Sequence, residues 1–178
     1  MLKKENVKLL IIAFLLFLLL CNLIYKEKCN EIKATNNYYG YSKKANNYLA
    51  TLEIPNISLK ADIFSINSIE NNVDYNVQIL KQSVMPEEEN SIVILAAHSG
   101  NSSIAYFDEL ENLNIDDEIF FYYNEKKYTY HITNSYLEKK NGIISIPKQK
   151  DLLVLTTCSQ KNKGYQFIVL AKMIDINK

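Results

Sequence analysis

The chain has 178 residues, 48% of them hydrophobic, enough to bury the core of one domain with an extension to spare. Its 20 positive and 20 negative side chains cancel, and every positive one is a lysine. That balance excludes the basic footprint of a phosphate-binding surface, so no nucleic-acid partner is expected.

A basic lead, MLKKENVK, precedes an uncharged stretch, LLIIAFLLFLLLCNLIY, from Leu9 to Tyr25. At about 1.5 Å per residue it spans about 25 Å, the short end of what crosses a bilayer. Tyr25, Lys26 and Lys28 suit the far interface, where lysines can snorkel. No small-x-small cleavage site follows, and Leu20 stands where a lipoprotein signal needs a small residue before Cys21. Residues 1–29 are therefore read as a cytoplasmic lead and an uncleaved transmembrane signal-anchor. Lysines flank the span on both sides, so the early ones favour this orientation only modestly. The reading makes the protein single-pass in the cell membrane, with a polar linker at 30–48 and an extracellular domain at 49–178.

Within the domain the pattern is mostly that of strands. LATLEI alternates, Pro55 interrupts it, and ISLKADI resumes. SIVILAAH is a continuous apolar run, as in a strand covered on both faces. DEIFFYYN and KKYTYHITNSY surround a polar turn and predict a hairpin. In its second arm Tyr128, Tyr130 and Ile132 are expected inward, with Thr129, His131 and Thr133 outward. DLLVLTT and YQFIVLAKMI close the chain as two more strands. Only SSIAYFDELENL has helical spacing, with Ile104, Phe107, Leu110 and Leu113 on one face. The pattern predicts a mostly antiparallel β-barrel or sandwich with one or two short helices.

Three cysteines without a spaced pair make neither a disulfide framework nor a zinc site. The acidic run PEEEN is too compact to pattern a calcium loop, so no metal and no cofactor is expected. Cys21 lies in the apolar span and Cys29 just beyond it, which leaves Cys158 alone in the domain. A lone exported thiol is either catalytic or simply buried. Cys158 ends one apolar run and His98 ends another, positions from which side chains enter clefts. The two converge only if their strands are neighbours, which periodicity leaves open.

From Leu52 to Met173 the ordered blocks resemble the sortases, the cysteine transpeptidases of Gram-positive cell surfaces. LEIPNISLKADI is similar to the family's opening strands. IVILAAHSGNSSIAYFDELENLNIDDEIFFYYNEKKYTYHI matches its strand, histidine, helix and hairpin, although Ala97 stands where a glycine usually precedes the histidine. VLTTC stands where the family has Thr-Leu-x-Thr-Cys, and QFIVLAK where it has an arginine followed by an apolar strand.

The resemblance implies a closed β-barrel of about eight strands. It also implies cleavage of an LPxTG-like sorting signal through a thioacyl intermediate on Cys158. The acyl group then passes to an amine of peptidoglycan precursor or pilin. Partners would be surface proteins bearing a C-terminal sorting signal. Cys158 is the implied nucleophile and His98 its proton partner, and Ala97, Thr157 and Ser159 beside them are expected to contact substrate. An unperturbed thiol with a pKa near 8.5 is only about 3% ionised at pH 7, so a nearby proton partner is needed. The resemblance further implies that the oxyanion is met by backbone N–H groups and a third, cationic side chain.

That third position falls on Gln166. A carboxamide donates a hydrogen bond without charge, about 1–2 kcal/mol less than a charge-assisted one, or roughly ten- to thirtyfold in rate. Lys161 or Lys163 could return the charge, unless QKNKG is only a solvated turn. Two other readings stay open: a cysteine protease that passes its acyl group to water, and a silent sortase fold that binds surface peptides.

Overall fold

The computed structural model describes residues 48–177, so the expected anchor and nearly all of the expected linker lie outside the described residues. Alternation makes YLATLEI a strand, β1 (Tyr48–Ile54), with Ala50, Leu52 and Ile54 buried. Pro55 cannot continue the ladder and opens a single 3-10 turn, Pro55–Ile57. Ser58, in the left-handed region at φ 51°, then reverses the chain into β2 (Leu59–Phe64), antiparallel to β1. After a loop at 65–77 comes β3 (Gln78–Ile79), paired with β4 (Ile92–Ala96).

The expected hairpin is β5 (Glu118–Tyr123) and β6 (Lys126–Lys139). Asn124 and Glu125 join them at φ 48° and 62°, the paired positive values of a two-residue turn that follows strand twist. Part of the acidic run serves this turn: Glu87 accepts hydrogen bonds from Asn124 at 2.8 Å and Lys126 at 2.7 Å. Two further strands, β7 (Leu152–Cys158) and β8 (Tyr165–Asn177), end the described chain.

All eight strands form one sheet in the order β2-β1-β5-β6-β8-β7-β4-β3. A bridge between Ile63 and Val77 brings its two ends together into a nearly closed barrel. Every pairing between the strands is antiparallel except β4 with β7, which run parallel.

Two apolar layers follow from period-2 alternation. Leu52, Leu95, Phe121, Leu153, Leu155 and Val169 belong to the larger, inner layer. Outside it, Ile94, Leu152, Val154, Ile168 and Leu170 form a second layer beneath Tyr136, Ile144 and Ile146. Covered on both faces, β4 and β7 read as unbroken apolar runs.

Two local expectations change. The segment SSIAYFDELENL contains only a 3-10 turn at Leu110–Asn112 among successive i→i+3 turns. Phe107 N–H bonds His98 O at 3.0 Å and Asp108 accepts from Gly100 N–H at 2.9 Å, so neighbouring loops compete with a regular helix. Phe107 and Leu110 are nonetheless buried. Thr129, expected outward, is buried as well, next to an irregularity in the β6–β8 register.

Candidate active site

Register brings the histidine and cysteine strands together. In the parallel β4–β7 ladder Ala96 stands opposite Thr156, so His98 and Cys158 each lie two residues further along adjacent strands. Ala97 N–H bonds Thr156 O at 3.3 Å, and Thr157 Oγ1 donates to Ala97 O at 2.8 Å in a buried setting. Ser99 Oγ then donates to Cys158 O at 2.6 Å. The backbones on either side of His98 and Cys158 are thus cross-linked.

The face is set by alternation. Leu152 and Val154 point into the outer layer, so Cys158 falls on that outer side. It emerges half-buried beyond the covered part. The neighbouring strands continue the row: Cys158 pairs with Gln166 on β8, and Gln166 pairs with Glu138 on β6. Two residues past Glu138, on the same side, comes Lys140. Its ammonium donates to Cys158 Sγ at 3.1 Å.

Gln166 therefore lies beside the thiol, as its alignment requires, but its amide is occupied. Nε2 donates to Ile143 O at 2.6 Å and to Glu138 Oε2 at 3.2 Å. Both N–H groups of a carboxamide are then used. Glu138 also accepts from Ser145 N–H at 3.1 Å and from the Ser145 hydroxyl. The Ser145 hydroxyl, then its amide, and more weakly Gln166, hold the Glu138 carboxyl below its ordinary value. Glu138 and Gln166 thereby clamp the β6–β7 connection over the outer layer.

His98 Nε2 lies 3.3 Å from Asp74 Oδ1, a carboxylate in the 65–77 loop. That loop is held by buried Asn71, which donates to Ile79 O at 3.0 Å and accepts from Ile79 N–H at 2.8 Å. A carboxylate on one ring nitrogen orients an imidazole and fixes its tautomer. His131 stands apart on β6, opposite Glu118 and 3.4 Å from its carboxylate.

The three residues expected to contact substrate are engaged internally. Ala97 and Thr157 are buried and bonded to each other. Ser159 bonds Glu111 at 2.8 Å through its hydroxyl and Tyr165 O at 2.9 Å through its amide, closing the β7–β8 turn. Lys161 is 70% exposed and pairs with Glu111 at 3.3 Å, and Lys163 is exposed. The sequence reading missed Lys140 and Asp74. Alternation along Tyr136, Glu138 and Lys140 was a usable signal for the lysine once β6 is known to border β8. NNVDYN carries no comparable signal for the aspartate.

A half-buried thiol with an ammonium at its sulfur and an imidazole on the adjoining strand end can attack a carbonyl and hold the charge that develops. A family model described as Sortase domain matches residues 52–174, and the chain belongs to the sortase family. Curated proteins yield no match. Solved structures are similar in fold. Sortase C1 from Streptococcus agalactiae is 21% identical, with a TM-score of 0.64 over 77% of this chain and 72% of that one. Sortase C from Streptococcus pneumoniae is 19% identical, with a TM-score of 0.64 over 74% and 71%. Sortase A from Listeria monocytogenes is 16% identical, with a TM-score of 0.63 over 75% and 91%.

Proposed function

We propose that this protein is a cell-surface cysteine transpeptidase, anchored through Leu9–Tyr25, that cleaves an LPxTG-like sorting signal. The observation that carries the reading is the parallel β4–β7 register, which brings His98 and Cys158 to adjacent strand ends. Cys158 Sγ attacks the scissile carbonyl, and the C–N bond breaks as His98 delivers a proton to the leaving amine. A thioester remains on Cys158. His98 then accepts a proton from an incoming amine of peptidoglycan precursor or pilin, whose attack frees the thiol and forms a new amide. Pilin as acceptor gains support from the neighbours, one of which is described as the pilus-related sortase C of group B Streptococcus.

The occupied amide of Gln166 favours a second reading, a silent fold that binds surface peptides without acylation. The test is incubation with a panel of sorting peptides and an amine such as triglycine, read by product mass. The transpeptidase reading expects a peptide–amine conjugate. Free acid alone, with triglycine in excess, points to hydrolysis, and unchanged peptide throughout points to the silent fold.

A further inference from the structure

We propose that Lys140 is a catalytic residue of this site, its ammonium holding the negative charge of the Cys158 thiolate and then that of the oxyanion formed beside the sulfur. Three observations converge on it. Its Nζ lies 3.1 Å from Cys158 Sγ. The chain contains no arginine, and the amide at the aligned position, Gln166, has given both hydrogens to Ile143 O and Glu138. Of the lysines in the loop after the nucleophile, Lys161 is drawn off by Glu111.

The local chain explains why this lysine reaches the sulfur. Lys140 N–H bonds Gly164 O at 2.9 Å, which extends the β6–β8 ladder one step past Lys139. Directly afterwards Asn141 Oδ1 accepts from Ile143 N–H at 2.9 Å, and Gly142, at φ +83°, turns the chain back. Glu138 stands two residues earlier on the same face and would compete for the ammonium. Its oxygens are instead taken by Ser145 and Gln166. A lysine is a point charge on a flexible stem, so it can follow charge from sulfur to carbonyl oxygen as the C–S bond forms.

The oxyanion half of the proposal rests on the transpeptidase reading; the thiolate half does not. Among the described residues, the charged groups around the thiol are Glu138 on β6 and Lys140 just past its end, His98 just past β4 with Asp74 behind it, and Glu111 with Lys161 beyond Ser159. Alkylation of Cys158 by iodoacetamide needs no sorting peptide and reads the thiolate directly.

At pH 7 Lys140→Met should slow alkylation about three- to tenfold, because the reacting sulfur loses the ammonium that faces it at 3.1 Å. Lys140→Arg should retain the wild-type rate, and Lys161→Met should leave it unchanged. In peptide acylation Lys140→Met should lose about ten- to a hundredfold in kcat/KM, since the charge-assisted contact is lost in the transition state. A Lys140→Met protein that alkylates like wild type at pH 7 overturns the proposal, and so does a Lys140→Arg protein as slow as Lys140→Met. A wild type that shows the alkylation pattern yet acylates no peptide contradicts the transpeptidase reading and supports the thiolate role of Lys140.

Discussion

The two flanks of Cys158 are built differently. On the β4 side the contacts are to backbone and partly buried: Thr157 to Ala97, Ser99 to the Cys158 carbonyl, and the parallel ladder itself. On the β6–β8 side they are exposed and made by charged or amide side chains: Lys140 to the sulfur, and Gln166 and Glu138 to the backbone of the loop. The first flank fixes where the thiol is, and the second sets what charge surrounds it. A buried neutral hydrogen bond gives position because breaking it leaves an unsatisfied group. An exposed ionic contact gives little stability but acts on any charge that forms beside it.

The contrast predicts how variants of the two flanks diverge. Cys158→Ala should abolish peptide cleavage, and His98→Ala should lower kcat by about 10²- to 10⁴-fold, the range of general acid–base catalysis. Cys29→Ser and His131→Ala should leave the rate nearly unchanged. On the positioning flank, Thr157→Val orphans the buried Ala97 carbonyl and should cost about 1–3 kcal/mol, measurable as a lower denaturation midpoint together with slower acylation. On the charge flank, Gln166→Ala should hardly move that midpoint. It should instead raise amide hydrogen exchange in residues 141–147, because the clamp on Ile143 and Glu138 is lost.

Acid should separate the flanks too. The Glu138 carboxyl is lowered in the folded protein, chiefly by the Ser145 hydroxyl. Its clamp is therefore complete above the ordinary glutamate range, about pH 4.3, and is lost as pH falls through the lower folded value. Protection of residues 141–147 should drop there in wild type but be pH-independent, and lower throughout, in Glu138→Gln. The smallest effect lies inside the barrel. The buried Tyr130 hydroxyl has no hydrogen-bond partner among the described residues, so Tyr130→Phe should be neutral or stabilising by up to about 1 kcal/mol in urea unfolding.

Much of the barrel was legible because period-2 patterns report which faces are covered. The hairpin around Asn124, the unbroken runs of β4 and β7, and the inward Tyr128, Tyr130 and Ile132 all follow from that rule. Proximity between strands distant in sequence is not written in periodicity. The pairing of β4 with β7 and of β6 with β8 decides which side chains meet, so His98 and Cys158 could be placed only at their own strand ends. Lys140 was invisible for the same reason, although Cys158, Gln166 and Glu138 form one cross-strand row once the order is known. The helical spacing at Ile104, Phe107, Leu110 and Leu113 marked an apolar face correctly, while the bonds to His98 O and Asp108 that replaced helix with turns were tertiary.

In the proposed reaction Cys158 is the residue that carries the acyl group. Quenching the reaction with a cognate sorting peptide in acid, digesting it and locating the adduct by tandem mass spectrometry tests that claim directly. The predicted result is a peptide-sized increment on the fragment containing Cys158, removed by hydroxylamine as a thioester is and lost in Cys158→Ala. An adduct on any other residue, or conversion that persists in Cys158→Ala, would contradict it.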